Sequence, residues 1–280
     1  MEAIRVTVSR GGVVEAVHRV HAVAVRDGEV VAAAGDPGLV AFLRSSSKPI
    51  QAVPLVEAYD DLSDAEVAIA SASHRAEPGQ IEAVRTLLAR AGATEDDLEN
   101  GEQDGRPPGR IFHNCSGKHA GMLAACRANG WEPRGYRLAE HPLQRRIAAL
   151  LPEAVATAVD GCGVPTFATT LRDAAALLTR TPARVRAAME ARPELIGGAG
   201  ANDTVLMQTL PGWIAKGGAE GLFCAASADG LGVALKCEDG NPRPHPPALA
   251  RFFAQLGFEL PAFERVPVLN SRGEQVGEIA

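Results

Sequence analysis

The chain has 280 residues, 46% hydrophobic and 22% charged, with a formal net charge of −6. That is ample material for one large core, and an acidic balance without a long basic run argues against nucleic acid as a main partner. No stretch approaches a membrane span and residues 1–25 lack the continuous apolar region of a secretory leader, so the expectation is a soluble, cytoplasmic protein with no membrane partner.

The first 43 residues read as β. Ile4-Arg5-Val6-Thr7-Val8 alternates, and Ala22–Val25 and Val30–Ala33 flank Asp27-Gly28, a type I′ hairpin signal. Leu39–Leu43 is apolar and strand-like. Arg44-Ser45-Ser46-Ser47-Lys48-Pro49 follows, at the start of a helix expected over 47–59. Ser45 and Lys48 are three apart and share one helical face. A serine needs a base to take its proton, and a buried lysine near other cations can be that base. Ser45 as a plain N-cap is the bland alternative.

Val67–His74 is an apolar run that ends in Ala72-Ser73-His74, so Ser73 is a second hydroxyl candidate, with a turn-capping role as its alternative. Helices are expected at 79–92, 116–128, 142–151, 170–179 and 182–191, with a short one at 203–209 after Gly197-Gly198-Ala199-Gly200; residues 93–110 read as a loop. Five cysteines, an odd count, favour metal, catalytic or buried thiols over a disulfide framework. In His113-Asn114-Cys115-Ser116-Gly117-Lys118-His119, the residues Cys115, Lys118 and His119 share a helical face. Asp160-Gly161-Cys162-Gly163 is a turn that can aim Asp160 and Cys162 inward. Two thiolates with one or two nitrogen donors make a plausible zinc set, for which His119 is the more ordinary nitrogen donor; buried structural cysteines are the alternative.

Strands are expected at 213–216, 222–226 and 233–236, then a helix at about 246–256. Lys216-Gly217-Gly218 closes the first of these strands. The glycines let a substrate approach the backbone, and Lys216 brings a cation; Lys236 on a later strand is its rival. Ser-x-x-Lys followed by Lys-x-Gly is also the order in serine β-lactamases. The element pattern predicts a single α+β domain over 1–280. Its antiparallel sheet comes from both chain ends, about 1–44 and 212–240, with a helical part over about 45–210.

Taken together, Arg44–Gln51, Ala72–His74, His113–Met122, His141–Gln144, Asp160–Pro165, Arg192–Leu195, Ala215–Gly221 and Gly232–Lys236 resemble the asparaginase II family. The resemblance implies a glutaminase- and serine-β-lactamase-like fold and an amidohydrolase acting on L-asparagine. It implies two Ser-Lys pairs, Ser45 with Lys48 and Ser73 with Lys216, in which Lys48 deprotonates Ser45, or Ser73 through a shared network, and one zinc ion on Cys115, Lys118 and Cys162. It implies Asp160 beside metal and substrate, and a homodimer. Arg44, Asp160 and the Asn202-Asp203-Thr204 turn are candidates for holding the substrate's α-amino and α-carboxylate groups. The rival readings are a glutaminase or other Ser-Lys acyl hydrolase, and an inactive zinc-stabilised binding protein.

Overall fold

Alternation at the N-terminus becomes a strand with one face in the core: Ile4, Val6 and Val8 are buried along β1 (Ile4–Arg10). β1 turns into the long β2 (Val13–Arg26), whose second half is buried almost throughout, and β2 turns through Asp27-Gly28 into β3 (Glu29–Ala34). Asp27 and Gly28 both have positive φ (52° and 80°), as a type I′ turn requires. The structure is a computed structural model and describes residues 1–280.

After the short β4 (Val40–Phe42) the chain becomes helical, with α1 (Lys48–Gln51), α2 (Val53–Ala58), α3 (Asp64–Ala70), α4 (Pro78–Ala91), α5 (Ser116–Ala128) and α6 (Pro142–Ala148). Two strands interrupt it, β5 (Ala156–Val159) and β6 (Pro165–Thr170). Then come α7 (Leu171–Leu177), α8 (Ala183–Ala191), α9 (Pro193–Gly197) and α10 (Asn202–Thr209). The chain returns to β with β7 (Trp213–Gly217), β8 (Leu222–Ser227) and β9 (Gly232–Cys237), crosses α11 (His245–Gln255), and ends in β10 (Val266–Leu269) and β11 (Gln275–Ile279).

The main sheet is antiparallel, in the order β10-β11-β1-β2-β9-β8-β7, with β3 paired to β2. It does combine both chain ends: β1 pairs with β2 on one side and β11 on the other. The expected α+β class holds, but three boundaries move. β4 leaves the main sheet for a second, three-stranded one, β4-β6-β5, so the part expected to be helical also supplies two strands. The main sheet also runs past residue 240, since β10 and β11 extend it. The apolar run at 67–70 is the end of helix α3, opened by a Ser63–Glu66 capping box.

α3 lies at the centre of the helical layer and packs against α4, α5 and α8. α5 comes close because Gly117 and Gly121 face Ile69 and Ala70 of α3 without side chains of their own. α10 packs on the edge strand β7. Between this helical layer and the β7 edge lies the cavity that collects the candidate residues.

Candidate active site

Ser45 is the second residue of a 3-10 turn, Arg44–Ser47, that runs straight into α1. The three hydroxyls of the serine triplet have different fates. Ser46 Oγ donates to the Leu43 carbonyl at 2.5 Å and Ser47 Oγ to the Arg44 carbonyl at 2.8 Å. Ser45 alone of the three lines the cavity. Arg44, just before it, sits at φ 47°, a left-handed conformation unusual for a side-chain-bearing residue. Its backbone N–H donates to Thr166 Oγ1, and its guanidinium pairs with Asp160 at 2.6 Å. Strain of this kind persists only where surrounding contacts enforce it.

Lys48 is buried among polar partners. Its Nζ donates to the Ala72 carbonyl at 2.6 Å, to Ser73 Oγ at 3.0 Å and to the Asn114 carbonyl at 3.4 Å. Burial, aided by the nearby Lys118 and Lys216 charges, lowers its pKa to about 8 despite the opposing pull of Cys115 and Cys162. The hydrogen-bonded Ser-Lys pair is therefore Ser73–Lys48. The spacing argument for Ser45 with Lys48, and the pairing of Ser73 with Lys216, give way to a contact between layers. Ser73 leaves the end of α3 and is anchored by its N–H to the Ile196 carbonyl, which brings its hydroxyl over α1.

Lys216 lies across the cavity on β7. Its Nζ donates to Asp203 Oδ2 at 3.1 Å and to the Gly217 carbonyl at 2.8 Å. Burial raises the Asp203 carboxyl, but the Lys216 ammonium and the Gly217 N–H outweigh it and hold the group below the usual carboxylate range. Lys216 and Asp203 both line the cavity. The rival Lys236 turns its Nζ to the Cys237 carbonyl instead. Arg44 and Asp160 neutralise each other and do not line the cavity, so the geometry favours Asp203 over these two as a substrate contact.

Behind Lys48 lies the sulfur cluster. Lys118 Nζ donates to Cys162 Sγ at 2.9 Å. A hydrogen bond from the Cys162 thiol, with Lys48 and Lys118 close by, pulls Cys115 well below the ordinary thiol value; the same bond and burial raise Cys162. The pair thus favours one thiolate stabilised by lysine charge. His119 Nδ1 meets the Tyr136 hydroxyl at 2.7 Å, while its buried Nε2 has no partner. The two sulfurs and the Lys118 amine are joined by hydrogen bonds, and two thiols with one nitrogen donor make a set that fits zinc. The geometry favours Lys118 as the nitrogen, since it touches Cys162, whereas His119 does not gather with both cysteines within 4.8 Å.

Several cavity residues carry no signal that singles them out in the sequence. Asn114 lends its carbonyl to Lys48, and Arg75, Phe223, Arg243 and His245 line the walls. Asn114 lies within the His113–His119 motif; the others belong to no pattern visible in the linear sequence. His74 is not a base in this arrangement. It is buried against Ser116 Oγ at 2.8 Å, and burial lowers its pKa to about 3.

The model of the L-asparaginase II family matches residues 6–280. The chain belongs to the L-asparaginase II family. That membership places it among asparaginase-like amidohydrolases, and so among hydrolases. No curated protein matches it. Among solved structures it is similar to a β-lactamase from Mycobacterium bovis, at 18% identity and a TM-score of 0.33, over 79% of this chain and 87% of that one. So loose a likeness bears on neither mechanism nor substrate. No helix of this L-asparaginase II family member is long and apolar enough to cross a membrane.

Proposed function

We propose that the protein hydrolyses the side-chain amide of L-asparagine to L-aspartate and ammonia by Ser-Lys covalent catalysis. The observation that carries this reading is the 3.0 Å hydrogen bond between Lys48 Nζ and Ser73 Oγ, with the lysine pKa lowered to about 8. Lys48 in its free-base form accepts the Ser73 proton as Oγ attacks the amide carbon. Lys48 then returns that proton to the departing nitrogen through the hydroxyl of Ser45, the other cavity serine, which gives up one proton and takes the one from Lys48. The C–N bond breaks, ammonia leaves, and Lys48 is again the free base for the water step. Water then cleaves the Ser73 ester and releases aspartate. Backbone N–H groups bordering the cavity hold the oxyanion, each donor worth about 3–4 kcal/mol. Asp203, fixed by Lys216, receives the substrate's α-amino group.

Cys115, Lys118 and Cys162 would hold a zinc ion, Lys118 Nζ already lying 2.9 Å from Cys162 Sγ. Zinc, when bound, supplies a clip for the Asn114–Lys118 turn and a positive field behind Lys48. The cytoplasm is the proposed location and a homodimer the proposed assembly.

Ammonia release from L-asparagine and L-glutamine tests the reading. The two differ by one methylene, worth only about 1–3 kcal/mol in a pocket. Release from asparagine, lost by about 10³-fold in Ser73→Ala and in Lys48→Met, is the expected result. Release mainly from glutamine keeps the chemistry and changes the substrate. No release from either, with zinc added, overturns the proposal. Mass spectrometry of the quenched enzyme should find the ester on Ser73; an ester on Ser45 would reverse the two serine roles.

A further inference from the structure

The cavity is larger than one amino acid needs. It holds about 610 Å³, within the ~300–1,000 Å³ of sites that take drug-sized ligands. One end is lined by Ser45, Ser73, Asn114, Asp203 and Lys216. The cavity then continues past Gly217–Ala219 to Pro242, Arg243, Pro246, Val266 and Ile279. Lys216 is on β7, whereas Arg243 leans on His18 of β2, three strands away in the sheet order. At ~4.8 Å per strand the lateral separation alone is about 14 Å, and the register adds an offset along the strands, since Lys216 is level with Val23 rather than His18. A free asparagine cannot span that gap.

Arg243 is held in place by a relay of hydrogen bonds. Its Nε donates to His18 Nε2 at 2.8 Å. His18 is 4% exposed, and its Nδ1 lies 2.6 Å from Asp239 Oδ2. Since Nε2 accepts, the ring proton sits on Nδ1 and is donated to Asp239. The other Asp239 oxygen accepts from the Cys237 thiol and from the Asn241 N–H, both at 2.9 Å. His18, Cys237 and Asp239 also bring three metal-type ligand atoms within 4.8 Å of one another. Two features oppose a cation there: the guanidinium already occupies His18, and burial and Asp239 push the Cys237 thiol up to about 12. The cluster instead serves to aim Arg243. With Nε tied and no carboxylate partner among the ion pairs of the protein, the guanidinium keeps its two terminal nitrogens as a fork for a carboxylate.

We propose that this far end is a carboxylate subsite for an extended substrate: a short peptide with N-terminal asparagine, its side-chain amide at Ser73 and its C-terminal carboxylate on Arg243. The proposal rests on the amidohydrolase reading of the Ser73–Lys48 end. At ~3.5 Å per residue, a peptide of at least about four residues is needed to cover the gap. Pro242, Pro246, Val266 and Ile279 suit an apolar last side chain. The reaction is the same hydrolysis: the C–N bond of the asparagine amide breaks, water supplies the new C–O bond, ammonia leaves, and the peptide then begins with aspartate.

The test uses Asn-Ala-Ala-Leu as free acid and as C-terminal amide, beside L-asparagine, with ammonia release as readout. The wild-type protein should show a KM for the acid about tenfold below that for the amide, the worth of a charge-assisted fork. That ratio should collapse toward one in Arg243→Ala, recover in part in Arg243→Lys, and fall in His18→Ala. Arg243 is exposed, and a thermal melt checks that the variants remain folded. Turnover of asparagine with neither peptide hydrolysed overturns the subsite while leaving the amidohydrolase intact. So does an acid–amide ratio that survives in Arg243→Ala. Failure on asparagine and both peptides overturns the amidohydrolase reading and the subsite together.

Discussion

At the scale of the residue, the serine triplet shows how much backbone geometry adds to spacing. Ser46 and Ser47 spend their hydroxyls on carbonyls one turn back, and Ser45 is left to the cavity. Spacing put Lys48 over Ser45; the structure turns it to Ser73, the Ala72 carbonyl and the Asn114 carbonyl. An i, i+3 rule compares only neighbours on one helix, and the partner that matters arrives from α3. The two candidate serines, both lysines and Asp203 were therefore legible as residue types, but the direct Ser73–Lys48 contact was legible only as an alternative to Ser45 with Lys48. The pKa of Lys48 gives a signed prediction. Only the free base can accept the Ser73 proton, and desolvation lowers the lysine to about 8. kcat/KM should thus rise about tenfold per pH unit below 8 and level off above it. A profile flat from about pH 6 to 9.5 would remove Lys48 as the base.

At the scale of the element, the site depends on how closely α5 meets α3. α3 leads into Ser73 and α5 begins beside Cys115 and Lys118, so their separation sets both clusters at once. A Cβ on Gly117 would collide with the Ile69 carbonyl and with Ile69 Cγ1. The nearest obstacle is backbone, which cannot swing aside. Gly117→Ala should therefore cost about 1–3 kcal/mol by overpacking, read as a lower denaturation midpoint, and should lower kcat by displacing Ser73 and Asn114. Gly79→Ala is the control: a Cβ there meets nothing within 4 Å, and α4 should be unaffected or slightly more stable. A Gly117 variant as stable and active as the parent would show that α3 and α5 do not fix the site. Most helices were readable because a buried stripe leaves a period. The missed elements lack one. Every residue of β5 is exposed, so no inward–outward alternation marks it, and α9 is only five residues long. β10 alternates, but over four residues with a proline among them.

At the scale of the whole molecule, the two chain ends meet in one sheet, and their meeting shapes the cavity. Val8 pairs with Ile279, and Ile279 lies on the cavity wall. Strand signals at each end suggested a shared sheet, yet nothing in a linear pattern places the last strand beside the first. The second sheet raises the question of assembly. Its edge strand β5 leaves Val159 74% exposed and the preceding Val155 64% exposed, and β4 at the opposite edge leaves Val40 and Phe42 open. An edge strand offers unpaired N–H and carbonyl groups, and apolar side chains beside it make that edge prone to pairing. A second copy related by a two-fold axis can cover the same patch on both protomers at once. The proposed homodimer should therefore form through this sheet, and sedimentation equilibrium should return twice the 29.2 kDa of the monomer. Val159→Glu combined with Phe42→Glu should return a monomer of unchanged melting behaviour, since both side chains already face solvent within the protomer. A wild-type protein that sediments as a monomer at every concentration would refute the dimer. A dimer that survives both substitutions would move the interface to another face. Because the cavity is lined from α10, β7, α11 and the C-terminal strands rather than from β4 or β5, the separated protomers should each keep their amidohydrolase activity.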